Sequence, residues 1–228
     1  MKLIGLHGKA GSGKDTAARA LAQCGWAKLA LADPLRELLV YMNPTIVGRF
    51  HRGYLADLVD KHGWDKLKRE EPAVRDLMQR TGEAGRRAFG QDFWIRQASM
   101  RLNRETRNVI VTDVRYPNEA EWIRESGGIV VRIFWPDSPH GLTGSAADHV
   151  TENVLQCDVD IENKTGKPER LARQIKLVAK KMDDNPTPHQ IWGHLTEDIR
   201  KEWTPTQEET ARVCSHSPFS LPTATDPD

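Results

Sequence analysis

The chain has 228 residues and a mass of 25.8 kDa, the size of one α/β domain carrying an appendage. Hydrophobic residues make up 38% and charged residues 29%, with mean hydropathy −0.61, which excludes a fibrous or wholly disordered chain. No apolar run approaches the roughly 20 residues of a membrane span. The net charge of +1 hides an asymmetry: residues 184–228 hold 8 acidic and 3 basic side chains, so this tail stands at −5 and residues 1–183 at +6. A mildly positive body suits small anionic substrates and falls short of the basic density of a nucleic-acid binder.

The opening MKLIGLHGKAGSGK has too short an apolar stretch for a secretory signal, so a cytoplasmic location is expected. Cys24, Cys157 and Cys214 form neither a CxxC pair nor a disulfide framework and read as reduced thiols. In chain order, Lys2 to His7 predicts a first strand ending at Gly8, followed by a helix from Lys14 to about Cys24 and a strand over Ala27 to Leu31. From Asp33 to about Gly90 the chain reads as polar and helical. Segments near 34–42, 54–61 and 72–89 are separated by Asn43-Pro44, His62-Gly63 and Glu71-Pro72.

In the segment after Pro72, Val74, Leu77, Met78, Ala84 and Ala88 are expected on the packed face, and Arg75, Gln79, Gly82 and Arg86 on a ligand-facing one. Phe93 to Arg101 predicts another helix. The Val-Ile-Val run of Asn108 to Thr112 reads as a strand buried on both faces, with Asp113 at its carboxyl end. A helix capped by Asn118, a strand over Ile129 to Phe134, a fifth strand over Asp158 to Glu162 and a helix over 168–182 complete the pattern. Alternation of strands and helices predicts a doubly wound, five-stranded parallel sheet with a mostly helical insertion over 34–104. The domain is expected to end at Asp183. Six of the chain's 13 prolines lie beyond it, with a helix compatible with 188–203.

Gly8 to Lys14, GKAGSGK, fits the glycine-rich phosphate loop, in which backbone N–H groups wrap phosphates and the lysine neutralises them. The Gly-x4-Gly-Lys spacing arises by chance on the order of 0.1 times in such a chain, given ordinary glycine usage. Its place between an apolar strand and a helix is what raises its specificity. Asp15 stands where the general motif has a Mg²⁺-binding hydroxyl, so Asp15 or the following Thr16 is a metal candidate. Asp113 is placed for a second magnesium role or for an ion pair to Arg115, whose planar fork suits a phosphate. The eight histidines show no zinc-ligand spacing, and Lys66, Lys68 and Arg69 read as a solvated helix face.

Taken together, GKAGSGKDT at 8–16, ADPLRE at 32–37, LMQRTGEAGR at 77–86, FGQDFWI at 89–95, VIVTDVRYPNEAEWI at 109–123, DHVTE at 148–152 and DVDIEN at 158–163 resemble the phage-type deoxynucleoside monophosphate kinases, within the phosphate-loop nucleoside monophosphate kinase superfamily. The resemblance spans about residues 1–182 and leaves the tail outside it. It implies transfer of the γ-phosphate of ATP to a deoxynucleoside 5′-monophosphate with Mg²⁺, in the cytoplasm (the host's, if phage-encoded). Partners would be ATP and the monophosphate, with no membrane or nucleic acid, and a homodimer is admissible.

By position, the resemblance implies that Gly8, Gly11, Ser12, Gly13, Lys14, Asp15 and Thr16 bind ATP, and that Asp15, Thr16 and Asp113 hold the metal. Lys14, Asp113 and Arg115 would be catalytic. Lys9, Leu35, Arg36, Arg75, Gln79, Gly82, Trp94, Asp113, Arg115 and Glu119 would bind the acceptor, with Trp94 stacking on the base or serving as core. His149, Thr151 and Glu152 fall in a family-like segment. Residues 136–157 contain no Arg or Lys, so Arg132 is the nearest upstream candidate for a lid arginine, its strand position being equally consistent with a structural role. Competing readings are another phosphate-loop small-molecule kinase, of the phosphomevalonate or dephospho-coenzyme A type, and a regulatory module that binds nucleotide without transfer.

Overall fold

The structure, a computed structural model, describes residues 1–135, 155–163 and 167–184. The 148–152 segment and the tail, including the helix expected over 188–203, lie outside the described residues. In chain order the elements are β1 (Leu3–His7), α1 (Lys14–Ala22), β2 (Ala27–Leu29), α2 (Asp33–Met42), β3 (Thr45–Val47), β4 (Arg52–Tyr54), α3 (Leu55–His62) and α4 (Trp64–Glu70). There follow α5 (Pro72–Phe89), α6 (Phe93–Leu102), β5 (Val109–Val111), α7 (Pro117–Glu125), β6 (Ile129–Phe134), β7 (Val159–Glu162) and α8 (Pro168–Asp184). None of the described helices is long and apolar enough to cross a membrane. The chain divides into two compact units, one formed by Met1–Leu29 with the residues from Glu105 onward, the other by Ala30–Arg104.

The first unit is built on a five-stranded, all-parallel sheet in the order β2-β5-β1-β6-β7, with Leu3 beside Val109, Ile4 beside Ile129 and Val131 beside Val159. Every residue of β1 is buried, as a central parallel strand covered on both faces requires. One face, carrying Ile4, Leu6, Ile110, Val131 and Ile161, packs against Leu21 of α1 and Leu171, Ile175 and Val178 of α8. On the other, α7 lays Ile123 against β1 so closely that a Cβ on Gly5 would overlap its side chain. This is the doubly wound α/β sheet the alternating pattern predicts, and its ligand crevice belongs at the carboxyl ends of the strands.

In the second unit, Leu35, Leu39, Ile46, Leu55, Leu58, Leu67, Val74 and Trp94 form a separate core. A hairpin departs from the helical expectation here, and one helix is added to the expected segments. A β3–β4 hairpin pairs antiparallel, with Ile46 opposite Gly53, and α4 occupies the gap before Pro72. The packed line of α5 also differs. Val74, Leu77 and Met78 pack on the core as expected, but beyond them the buried residue is Gly85, while Ala84 and Ala88 face solvent. The cause is the indole of Trp94, which needs the bare backbone at Gly85: a Cβ there would sit 2.7 Å from Trp94 Cζ2.

Candidate active site

The phosphate loop follows β1 at the carboxyl edge of the sheet. Gly8 and Gly13 have φ of 144° and 109°, which side-chain-bearing residues rarely adopt. A Cβ on Gly8 would strike the Ile133 carbonyl, and one on Gly13 would lie 2.6 Å from Asn163 Nδ2. Gly13 starts α1 with no side-chain cap, so the positive end of the helix is turned to the loop. Lys14 Nζ donates to the carbonyls of Gly8 at 2.5 Å and Lys9 at 2.7 Å, which holds its charge over the loop. Ser12 is buried, and its hydroxyl has no hydrogen-bond partner among the described residues. An orphan donor and a cradle that only glycine allows are what a polyphosphate oxygen requires, so the loop fits the phosphates of a nucleotide.

Two residues that support this loop escape sequence reasoning. Asn163, just after β7, donates its Nδ2–H to the Ser12 carbonyl at 2.8 Å and so braces the loop from below. His7, buried at the end of β1, places Nδ1 3.0 Å from the Val114 carbonyl, an acceptor, so Nδ1 carries the proton. Val114 N–H in turn donates to the Leu6 carbonyl at 3.1 Å. Both bonds fix the segment carrying Asp113 alongside the strand that launches the loop. Asn163 lay within the quoted DVDIEN run and a histidine just before a phosphate loop is visible, but their partners become apparent only once the strands are paired.

Asp113 and Thr16 are half-buried and Asp15 is exposed. All offer oxygen, the chemistry Mg²⁺ selects. Among the described residues no group of three or more His, Cys, Asp or Glu could hold a metal ion alone. That fits an ion held by one or two carboxylates, water and the nucleotide's own phosphates, and does not fit an all-protein cage.

Arg115 is exposed, and Lys9 is exposed on the loop itself. Glu119 is buried and serves its own helix start: its Oε2 accepts the N–H of Arg115 at 2.7 Å and of Tyr116 at 3.1 Å. The first helical residue of α7 is Pro117, so the cap falls on Tyr116 and not on Asn118. Arg132 pairs across the β6–β7 ladder with Asp160, with Nε to Oδ1 at 2.8 Å and Nη2 to Oδ2, and this pairing gives it a structural role. Cys157 is a free thiol, as expected of a reduced cysteine, and Cys24 is buried in the core of the sheet unit.

In the second unit, Arg36 donates from Nη1 to Asp33 Oδ1 at 3.0 Å, and its buried Nε has no partner among the described residues. Arg75 Nη2 donates to the Lys68 carbonyl at 3.0 Å, and Gln79 is exposed one turn further along α5. Three other expected acceptor residues are packing residues. Leu35 is in the core. Trp94, 5% exposed, donates its indole N–H to the Gly82 carbonyl at 3.0 Å and meets Phe93 edge-on. Gly82 is thereby the acceptor for that indole, so the ring is a core element and not an open stacking platform.

No family profile matches the chain. A protein of Acanthamoeba polyphaga mimivirus, provisionally named a deoxynucleotide monophosphate kinase, is 30% identical over 147 residues, covering 60% of this chain and 75% of its own. A protein of Corynebacterium diphtheriae named dephospho-CoA kinase is 39% identical over 201 residues, covering 88% of this chain and 84% of its own. Among solved structures, TT1252 from Thermus thermophilus superposes with a TM-score of 0.39 at 18% identity, covering 79% of this chain and 97% of that one. With a phosphate loop at the edge of a doubly wound parallel sheet and two kinases sharing most of their length with it, the chain belongs to the phosphate-loop kinases.

Proposed function

We propose that the protein transfers the γ-phosphate of ATP to a deoxynucleoside 5′-monophosphate, with Mg²⁺. An oxygen of the acceptor phosphate attacks the γ-phosphorus, the bond to the β,γ-bridging oxygen breaks, and ADP leaves. The observation that carries this reading is the loop itself, with the orphan Ser12 hydroxyl and Lys14 Nζ held over the Gly8 and Lys9 carbonyls. Transfer of this kind is mostly alignment and charge neutralisation. On the sheet unit, Gly8, Gly11, Ser12, Gly13, Lys14, Asp15 and Thr16 hold ATP, and Asp15 or Thr16 with Asp113 holds the metal, which neutralises the phosphates when bound. Lys9 and Arg115 supply positive charge toward the acceptor phosphate. On the unit spanning Ala30–Arg104, Arg36, Arg75 and Gln79 bind the acceptor, and the unpartnered Arg36 Nε supports that assignment.

Dephospho-coenzyme A is the second reading, favoured by the Corynebacterium relative. Its acceptor is a hydroxyl, which needs a base to take its proton, whereas a phosphate oxygen is already a nucleophile. Two carboxylates among the candidate segments are engaged elsewhere: Asp33 by the Ala30 N–H at 3.0 Å and by Arg36, Glu119 by the start of α7. With those two committed, a base for a hydroxyl acceptor would fall to Asp15 or Asp113, the carboxylates assigned above to the metal. An ADP-release assay with the four deoxynucleoside monophosphates, phosphomevalonate, dephospho-coenzyme A and no acceptor tests the proposed reading. Release with the deoxynucleotides is expected, and release with dephospho-coenzyme A alone overturns the reading.

A further inference from the structure

The β3–β4 hairpin turns over a carboxylate that the proposed chemistry does not use. Glu71 is fully buried. Its Oε2 accepts the Arg49 N–H at 2.7 Å, and its Oε1 accepts the Phe50 N–H at 2.7 Å and the His51 Nδ1–H at 2.8 Å. A Cβ on Gly48 would overlap this carboxylate, so the turn closes onto it only with glycine there. Burial pushes the Glu71 carboxyl up, but the bonds from His51, Phe50 and Arg49 outweigh it and hold the group below its ordinary value. On its other side His51 meets the His62 ring edge-on at 4.4 Å and lies 4.0 Å from Glu70. The turn is therefore pinned at its base.

Its tip faces solvent. Phe50 is 64% exposed, Arg49 and Arg52 are exposed, and the Arg49 guanidinium lies 5.1 Å from the Phe50 ring centroid. A fixed turn that displays an aromatic face beside guanidinium groups suits a planar, anionic ligand: the base stacks on the ring and the phosphate meets the fork. The same Glu71 starts α5, since its carbonyl accepts the N–H of Val74 and of Arg75. The pinned turn and Arg75 are thus tied to one residue, in a unit with 14 basic and 10 acidic side chains over 30–104.

We propose that the turn Gly48–Arg52 is a nucleotide-binding element for the acceptor, in which Phe50 stacks on the base, Arg49 contacts the phosphate and Glu71 is the positioning residue that fixes both. This rests on the nucleotide-acceptor reading above.

The test is calorimetric binding without turnover, using the four deoxynucleoside monophosphates and dephospho-coenzyme A, on wild type, Phe50→Ala, Arg49→Ala and Glu71→Gln, with ATP affinity and Tm as controls. Phe50→Ala and Arg49→Ala should each weaken monophosphate binding about tenfold, the scale of one lost stacking or ionic contact. Because both side chains are exposed, ATP affinity and Tm should hold. Glu71→Gln should weaken the same ligand, and a variant that lowers only Tm removes the positioning role. Wild-type affinity in Phe50→Ala and Arg49→Ala overturns the proposal alone. So does a loss of self-association in Phe50→Ala at unchanged affinity, which would make the tip a contact between copies. A wild type that binds none of these nucleotides overturns the acceptor reading together with it.

Discussion

Lys14 shows how one side chain is prepared for its work before any nucleotide arrives. Its ammonium group is held by two loop carbonyls, which a polyphosphate would outbid because it offers full negative charge in place of dipoles. Lys14→Ala should therefore lower kcat/KM by at least about 10²-fold, the scale for losing one charge-stabilising donor, while Tm stays near wild type. An ADP-release assay beside a melting curve checks both halves of that expectation. Cys157 stands at the other extreme. Burial pushes its thiol up to about 12, with Asp158 and Asp160 adding to the rise and Arg132 opposing it. The reactive thiolate is then scarce, so alkylation at pH 8, followed by peptide mass spectrometry, should run far more slowly than for free cysteine. At this scale the legible residues are those whose role follows from a local pattern: the loop glycines, Lys14 and Asp113. Asn163 and His7 act through bonds that exist only after β6 meets β7 and β5 meets β1. For Trp94 the sequence left base stacking and core open, since it does not say that an indole N–H will be satisfied by the Gly82 carbonyl, one turn from Gly85.

Helix α5 offers a paired test of how an element is packed. Its two glycines, Gly82 and Gly85, lose stability to the same backbone entropy, about 1 kcal/mol each relative to alanine. A Cβ on Gly82 would meet Leu35 Cδ2 at an ordinary 3.8 Å, whereas one on Gly85 would press Trp94 at 2.7 Å. Gly82→Ala should raise Tm. Gly85→Ala should lower it, because overpacking a fixed ring costs about 1–3 kcal/mol and exceeds the helix gain. Melting curves of the two variants give opposite signs if the indole is locked as described. The hairpin adds a pH test. The Glu71 carboxyl is lower in the folded chain than its unfolded value of about 4.3, so its stabilising contribution is present above that pH and is lost as pH falls through the folded value. The Tm difference between wild type and Glu71→Gln should narrow on acidification below about pH 4. This hairpin was illegible because its strands have three residues each, too few for alternation to register, and because its register is set by a buried carboxylate twenty positions away.

For the whole molecule, the central parallel strands were legible because burial on both faces demands apolar runs, as in LIGL of β1, VIV of β5 and IVV of β6. Their order was not, since it depends on which crossover goes which way. The last question of scale is where the catalytic chain ends. Leu171, Ile175 and Val178 of α8 pack with Leu21 of α1, so any truncation must keep residues through Asp184. Residues 185–228 hold 7 acidic and 3 basic side chains, and their removal takes the net charge from +1 to +5. That change acts on an anionic acceptor only within a Debye length, about 8 Å at 0.15 M salt and about 30 Å at 0.01 M. The truncated protein should therefore keep kcat/KM within a few-fold of the full chain at 0.15 M. At 0.01 M its KM for the monophosphate should fall relative to the full chain, as the more positive body attracts the substrate over a longer range. Steady-state kinetics at the two salt concentrations, on protein shown to be folded and monodisperse, decides the matter: loss of activity at both salts would assign the tail to the active site and move the domain boundary beyond Asp183.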